Sequence, residues 1–327
     1  MTSGSGGKKS VSIVIPAWNE SEVLDELATR LSQLMDRNPK YQFEIIIVEN
    51  GSWDDSWQKL TGIRDNDPRF KIVQLTRNFT ADGAVQAALG LATGDAAIMM
   101  DADLQDPPEL INKFLIEWEA GAEIVYGAIE RRQGVSIIKR VLARAYYGLM
   151  GVITDGAIPA NVTGFRLMDR IVYTTMNQMS EHNRFTRGLS VWGGFKVASI
   201  PFTRPARFAG KTKSPFSHLM REAWDGIYGF SDLPLRLPFY AGWLAFVAAT
   251  IAGGFLWSEI IDGAQTNTAL AISVLVLGLF GILFFLIGFF GAYIRLILDE
   301  VRNRPGFIIR KSQGFQSESD NASGPSD

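Results

Sequence analysis

The chain of 327 residues has a formal net charge of −2 at pH 7 and no block of lysine and arginine, which excludes the electrostatic footprint of a nucleic-acid partner. It has no cysteine and two histidines, which excludes disulfides, thiolate nucleophiles, cysteine zinc sites and multi-histidine metal sites. Any catalysis must therefore rest on carboxylates, cationic side chains and a bound metal ion.

The first half of the chain alternates between strand-like and helix-like segments. Residues 1–10 are rich in glycine and serine, and we expect a disordered leader there. Behind it, five apolar runs of strand length are separated by segments of helical character. This alternation predicts an α/β domain with a mostly parallel, doubly wound sheet. The predicted strands cover residues 11–15, 43–48, 70–75, 96–100 and 123–127.

Polar side chains follow the predicted strands at the points where they end. Glu20 follows the first strand, Glu49 and Asn50 follow the second, and Arg77 follows the third. In an open α/β sheet, ligands bind outside the carboxyl ends of the strands. We therefore expect one crevice that collects these side chains.

The fourth predicted strand leads into an acidic segment. If Asp101 and Asp103 are extended, they point to the same side, and two hard oxygen ligands suit a divalent cation that keeps waters and shares phosphate oxygens. Pro107 and Pro108 are typical of a first helical turn, which predicts Asp106 as its N-cap. An alternative from the residues alone is a solvated acidic turn, in which Asp103 only caps the next turn.

Two groups of basic residues are candidates for binding phosphate, since arginine suits bidentate phosphate contact better than lysine. From the residues alone, a solvated or lipid-facing cluster is an equally good interpretation of either group. The first group follows the fifth strand, and the second lies in a predicted loop with glycine, serine and proline. They are Arg131, Arg132, Lys139 and Arg140, and Arg204, Arg207, Lys211 and Lys213.

Two long uncharged segments follow, residues 237–258 and 263–294. Crossing a hydrocarbon core of ~30 Å takes ~20 helical residues, so both are long enough, although two buried helices of a soluble protein are the alternative. Arginine and lysine flank the pair while the connecting loop is acidic, which predicts cytoplasmic flanks. We expect a catalytic domain over 11–213, interfacial helices over 214–237, a two-helix transmembrane hairpin over 238–295, and a cytosolic segment over 296–327 with a disordered tail from residue 312.

Several segments together resemble family 2 glycosyltransferases of the GT-A fold. More narrowly, they are similar to polyprenyl-phosphate hexosyltransferases, which include bactoprenol glucosyltransferases and dolichyl-phosphate mannose synthases. The resemblance extends from about residue 11 to residue 311. Its segments are Val14-Ile15-Pro16-Ala17-Trp18-Asn19-Glu20, Glu49-Asn50-Gly51-Ser52, Arg77-Asn78-Phe79, Asp101-Ala102-Asp103-Leu104-Gln105-Asp106-Pro107-Pro108, and residues 163–167, 183–188 and 207–213.

The resemblance implies a metal-dependent, inverting transfer of a hexose. The donor would be a UDP- or GDP-linked sugar, the acceptor a polyprenyl phosphate, and the cofactor Mg²⁺ or Mn²⁺. The enzyme would be an integral membrane homo-oligomer, with a Rossmann-like GT-A domain at the cytoplasmic face of the cell membrane. The product would serve later glycosylation steps.

The same resemblance assigns roles to individual residues. Asp101, Asp103 and Gln105 would hold the metal, and Asp101, Asp103 and Arg131 would act in catalysis. Asp101 and Asp103 would also contact the donor. The remaining donor-binding residues would be Pro16, Trp18, Glu20, Glu49, Asn50 and Arg77, and the acceptor-phosphate residues Arg131, Arg132, Lys139, Arg140, Arg207 and Lys211.

The sequence departs from the family at two places. Many relatives carry two aspartates where this chain has Glu49 and Asn50, and some carry Gly-Asp where it has Thr163 and Gly164. The donor sugar and nucleotide therefore stay open. Two alternatives to the transferase are a catalytically inactive membrane scaffold and a processive polysaccharide synthase. The second predicts a Gln-x-x-Arg-Trp motif, which the sequence lacks.

Overall fold

The computed structural model describes residues 7–132, 162–179, 193–205, 208, 233–261, 268–302 and 304–315. The chain divides into two compact units. The first, Met1–Phe216 with Pro305–Asp327, holds the sheet, and the second, Ser217–Arg304, holds two long helices.

The first unit is built on one sheet of eight strands in the order β7-β5-β6-β4-β1-β2-β3-β8. The strands are β1 (Lys9–Ala17), β2 (Tyr41–Glu49), β3 (Phe70–Leu75), β4 (Ala96–Met99), β5 (Ile124–Arg132), β6 (Val162–Asp169), β7 (Val197–Arg204) and β8 (Ile309–Gln313). The helices of this unit are α1 (Leu24–Arg37), α2 (Ser56–Asn66), α3 (Thr80–Leu91), α4 (Ile111–Glu119) and α5 (Arg170–Gln178).

The sheet is mostly parallel, as the alternation of elements predicts. β1 pairs in parallel with β2 and β4, β2 with β3, and β5 with β7, whereas β6 and β8 run antiparallel to their neighbours. The central strands lack apolar–polar alternation because both of their faces are covered. Val14 and Ile15 on β1, and Ile46 and Ile47 on β2, are all fully buried.

The five predicted strands are all confirmed, and α1 buries Leu24, Leu27, Ala28, Leu31, Leu34 and Met35 along one face. Two local predictions are wrong. β4 ends at Met99, so Asp101 and Asp103 lie in a turn and not in an extended strand. Asp106 does not cap the following helical turn Pro108–Leu110, whose N-cap position is Pro107, because the carboxylate of Asp106 is turned into the interior.

The C-terminal residues return to the sheet, which the sequence analysis does not predict. β8 pairs antiparallel with β3, and the Thr76 amide donates to the carbonyl of Ile308 at 3.0 Å. This strand includes residues 312 and 313, so the expectation of a disordered tail from residue 312 is wrong at its start. The tail beyond residue 315 lies outside the described residues.

The second unit contains α6 (Leu233–Ile261) and α7 (Thr268–Arg302). α6 contains the first uncharged segment, and α7 contains most of the second. Within the described part of the chain, one stretch is long and apolar enough to cross a membrane by length and composition. It is Gly278–Arg302, with a mean hydropathy of 2.2 and none of its apolar window buried.

A partly buried polar cluster connects three strands of the first unit. The carboxylate of Glu44 on β2 accepts hydrogen bonds from Ser12 on β1 and Lys71 on β3, and from the Thr93 amide at 2.7 Å. Burial raises the pKa of the Glu44 carboxyl, but these donors outweigh it and leave the pKa below its ordinary value of 4.5. The charged form of Glu44 therefore stabilises the sheet.

Glu44→Gln should lower the free energy of unfolding at pH 7 by about 1–3 kcal/mol, because it leaves buried donors without a charged acceptor. Since the pKa of Glu44 is depressed in the folded state, its contribution is present above the unfolded pKa and lost as the pH falls through the folded pKa. The denaturant midpoints of the unchanged protein and of Glu44→Gln should therefore converge as the pH is lowered from 7 to 3. Glu119→Gln, at a more exposed carboxylate that accepts from Lys40 and Tyr41, is the control and should cost less. A constant Glu44→Gln difference across this range would contradict the linkage.

Candidate active site

The loops that follow β1, β2, β3 and β4 meet at one edge of the sheet, because parallel strands place their carboxyl ends together. These four loops and the last residues of the strands before them carry the donor and metal residues that the sequence predicts. The residues are Pro16, Trp18, Glu20, Glu49, Asn50, Arg77, Asp101, Asp103 and Gln105.

The loops after β1 and β2 are fastened to each other. The Asn19 amide donates to Ser52 Oγ at 2.9 Å, and the Trp53 amide donates to Asn19 Oδ1 at 3.0 Å. Asn19 has φ 54°, a left-handed conformation that asparagine tolerates better than most residues. These contacts bring the rings of Trp18 and Trp53 to 4.9 Å at an interplanar angle of 84°, with Trp53 79% exposed. The two rings form an aromatic corner open to solvent.

The loops after β2 and β3 are joined by Asn50, which is 3% exposed. Its Oδ1 accepts from the Phe79 amide at 2.9 Å, and its Nδ2 donates to the carbonyl of Thr80 at 2.7 Å. Gly51 lies directly against the backbone of Arg77, and a Cβ at Gly51 would stand 2.4 Å from the Arg77 carbonyl carbon. The side-chain amide of Asn50 therefore holds the loop after β3 against the loop after β2.

Glu49 and Arg77 differ in how they face the crevice. Glu49 is 1% exposed, and its Oε1 accepts from the Ser52 amide, whereas its Oε2 is buried and has no hydrogen-bond partner among the described residues. Such an oxygen is an acceptor available to a hydroxyl or amine. The exposed Arg77 stacks on the Phe79 ring, with its guanidinium carbon 3.9 Å from the ring centroid.

The acidic turn after β4 is fixed from inside the protein. Leu104 is 2% exposed and has φ 58°, so a buried apolar side chain holds the turn in a left-handed conformation. Asp103, which is 6% exposed, accepts at Oδ1 from the Gln105 amide at 3.1 Å. The turn-capping contact left open as an alternative for Asp103 is therefore present, and it also holds the carboxylate in place.

Two ionisable residues, Asp106 and Arg204, contact the acidic turn. Asp106 is fully buried, and its Oδ2 accepts from the Asp101 amide at 3.2 Å. Arg204 Nη2 lies 3.4 Å from Asp101 Oδ2 and 3.6 Å from Asp106 Oδ1. Desolvation, together with the charges of Asp101 and Asp103, raises the pKa of Asp106 well above its ordinary value, and Arg204 opposes that shift.

The residue after Arg204 is also attached to the acidic turn. Gln105 Nε2 donates to the carbonyl of Pro205 at 3.3 Å. Among the predicted metal ligands, Gln105 therefore already uses its amide nitrogen to hold the end of β7. Its Oε1 is the atom that could serve a metal.

The donor set fits a metal that is shared with a substrate. Among the described residues, no group of three or more histidine, aspartate or glutamate side chains is placed to hold a metal ion by itself. Mg²⁺ is usually bound by one or two carboxylates, with waters and substrate phosphates filling its remaining positions. The turn supplies the two carboxylates of Asp101 and Asp103, and the Asp101 side chain is 46% exposed.

The predicted acceptor residues are placed only in part. Arg131 and Arg132 end β5, and their side chains lie outside the described part of the structure. Lys139, Arg140, Arg207 and Lys211 also lie outside the described residues.

At this edge the sequence analysis missed Trp53 and misplaced two other residues. It assigned Asp106 to a helix cap, and it placed Arg204, a candidate for binding phosphate, in a loop. Arg204 is instead the last residue of β7. The β-branched and aromatic residues of that strand were a signal for it, but Pro201 obscures the pattern, because proline is tolerated in sheets mainly on edge strands such as β7.

Comparison with known proteins gives three findings. The family described as Glycosyl transferase family 2 matches residues 12–175. The chain is 39% identical over 312 residues to the "Uncharacterized glycosyltransferase YkcC" of Bacillus subtilis (strain 168), which covers 94% of this chain and 95% of that protein. It is 34% identical over 304 residues to the "Prophage bactoprenol glucosyl transferase homolog" of Escherichia coli (strain K12), covering 92% and 98%. Among solved structures, glucosyl-3-phosphoglycerate synthase from Mycobacterium tuberculosis has a TM-score of 0.46 at 17% identity, covering 66% of this chain and 76% of that one.

Gly51→Ala should destabilise the loop after β2 by about 2–4 kcal/mol, because it adds a Cβ at φ 68° against the Arg77 backbone. Gly62→Ala in α2 is the matched control, since nothing lies within 4 Å of its Cβ position. That control should stabilise the protein by about 0.5–1 kcal/mol. Thermal unfolding of both variants measures the difference. Equal effects would show that the two loops are not in contact.

Proposed function

The chain belongs to glycosyl transferase family 2, and from this premise we propose that it transfers a hexose from a UDP- or GDP-linked sugar to a polyprenyl phosphate. The chain is a glycosyltransferase. The observation that carries the finer proposal is the acidic turn after β4, fixed by a buried leucine and a buried aspartate at the carboxyl edge of the sheet. The name of the Escherichia coli relative, which includes bactoprenol, supports a polyprenyl acceptor.

The loops after β1, β2 and β3 would hold the nucleotide. Trp18 and Trp53 offer a planar base one ring face and one ring edge, and such stacking contributes about 1–3 kcal/mol per base in other proteins. Glu49 Oε2 would accept a hydrogen bond from the ribose or base. Pro16, Glu20 and Arg77 lie in or beside the same three loops. Asn50 would act by holding the loops after β2 and β3 together.

Asp101, Asp103 and Gln105 would hold Mg²⁺ or Mn²⁺. When bound, the metal neutralises the negative charge that develops on the leaving diphosphate. Asp103 is the ligand whose carboxylate is fixed by the turn, while the Asp101 side chain is 46% exposed and faces Arg204. Asp101 and Asp103 would thereby also orient the diphosphate of the donor.

The acceptor needs little help from a protein base. A phosphate monoester carries about −1.5 to −2 charge at pH 7, so it can attack the anomeric carbon without losing a proton to the protein. Direct attack inverts the configuration at that carbon. The protein's task is then to bring two anions together, for which Arg131, Arg132, Lys139, Arg140, Arg207 and Lys211 are the proposed cations.

The proposed acceptor also accounts for the hydrophobic second unit. We place the catalytic domain over residues 11–213 at the cytoplasmic face, interfacial helices over 214–237, a transmembrane hairpin over 238–295, and a cytosolic segment over 296–327. The length and composition of Gly278–Arg302 support one of these spans. We also propose that copies of this chain form a homo-oligomer in the cell membrane.

Membranes that contain the full chain should transfer radiolabelled sugar from one nucleotide-sugar in a UDP- and GDP-linked panel to added polyprenyl phosphate. EDTA should abolish the transfer. Asp103→Asn should lower the transfer by about 100-fold or more, because the metal that neutralises the diphosphate loses its fixed carboxylate ligand. Label in the organic phase is the measurement. Asp95→Asn, at the opposite end of β4, is the matched control and should retain activity. No transfer by the unchanged chain from any donor would favour the inactive scaffold.

Trp53→Ala should raise the dissociation constant of the transferred nucleotide-sugar by about 5- to 100-fold, because an exposed ring that stacks on a base is lost. Trp53→Phe should recover most of the affinity. Trp257→Ala removes another exposed tryptophan, on α6, and should leave donor binding unchanged. Equilibrium dialysis of the donor measures all three. Full affinity in Trp53→Ala would exclude Trp53 from the donor pocket.

A further inference from the structure

Arg204 bridges two carboxylates that differ in burial. A single nitrogen, Nη2, lies 3.4 Å from Asp101 Oδ2 and 3.6 Å from Asp106 Oδ1. Asp106 is fully buried, whereas the Asp101 side chain is 46% exposed at the open edge of the sheet. The same cation therefore has one partner inside the protein and one partner at the entrance.

The two contacts differ in how easily they can be replaced. Strong charge-assisted hydrogen bonds are about 2.7–2.9 Å long, so both contacts of Arg204 are long, and it is burial that distinguishes them. The contact to Asp101 is at the partly exposed carboxylate, where ion pairs contribute little. A fully buried carboxylate, by contrast, needs a partner because it cannot be solvated. The Asp101 contact is therefore the exchangeable one, and the Asp106 contact is the one that is retained.

The backbone next to Arg204 keeps it at the turn. Gln105 donates to the carbonyl of Pro205 at 3.3 Å, so the end of β7 is fastened to the acidic turn itself. The guanidinium is not saturated, since its Nε is buried and has no hydrogen-bond partner among the described residues.

We propose that Arg204 is a built-in counter-cation, which holds Asp101 until a divalent cation takes that carboxylate and then donates to a phosphate oxygen while Asp106 retains it. This inference rests on the proposed function. Its physical reason is charge balance. Asp101 and Asp106 lie close together, since the Asp101 amide donates to Asp106 Oδ2 at 3.2 Å and one nitrogen of Arg204 faces both carboxylates. An arginine left beside Asp101 would, however, repel an arriving metal ion. Turning toward an anionic phosphate removes that repulsion.

The first test measures the binding of Mn²⁺ alone, by electron paramagnetic resonance of the free ion, to the full chain. Arg204→Gln removes the competing charge and keeps a polar side chain at the position, so it should bind Mn²⁺ about two- to fivefold more tightly than the unchanged chain. Arg204→Lys keeps the charge and should bind Mn²⁺ like the unchanged chain. Arg170→Met is the control, because Arg170 pairs with Asp95 at the opposite end of β4. Thermal unfolding confirms that each variant is folded.

Equal or weaker Mn²⁺ binding by folded Arg204→Gln would overturn the exchange and leave the proposed function intact. No Mn²⁺ binding by the unchanged chain would instead overturn the metal role in the proposed function, and the exchange with it.

The second test identifies the phosphate, with UDP and GDP as probes in excess Mn²⁺. Weaker nucleotide binding by Arg204→Gln, by about fivefold or more, would assign Arg204 to the donor diphosphate. Unchanged nucleotide binding with a raised KM for polyprenyl phosphate would assign it to the acceptor. If neither changes, Arg204 does not bind phosphate and this part of the proposal is wrong.

Discussion

A carboxylate without access to water governs the arrangement of this site. Asp106 is fully buried, and an isolated buried charge is too costly to persist without a partner. It is held by the Asp101 amide and by Arg204, which come from the acidic turn and from the last residue of β7. Satisfying one buried group therefore fixes the turn that presents Asp101 and Asp103, and brings a distant strand end to it.

The two halves of the crevice are stabilised by different physics. On the side of β1, β2 and β3, neutral hydrogen bonds from Asn19 and Asn50 and the close approach at Gly51 join three loops. On the side of β4 and β7, ion pairs and a partly exposed carboxylate dominate. A braced pocket suits recognition of a planar base, and an adjustable charged site suits a metal and phosphates whose charges change during transfer.

The strands of the sheet show which elements a local sequence pattern can predict. The five predicted strands were found because uninterrupted apolar runs such as Ile45, Ile46 and Ile47 are typical of strands buried on both faces. β8 could not be found in this way, because its residues are mostly exposed and it exists only by pairing with the edge of β3. The apolar stretch Gly278–Arg302 overlaps the second uncharged segment of the sequence, because length and composition are local properties of the chain.

By itself, the sequence determined the α/β class, the order of the strands that carry the candidate site, and the membership in glycosyl transferase family 2, because these depend on local periodicity and short motifs. Only the tertiary structure decided that Asp106 faces inward, that Arg204 reaches Asp101, and that Trp18 and Trp53 meet. Arg204 and Asp101 are far apart along the chain, and no local pattern states which strand end lies beside which turn. That proximity is set by the sheet order, in which β7, β5, β6 and β4 are successive neighbours, and by the free energy required to keep a buried charge paired.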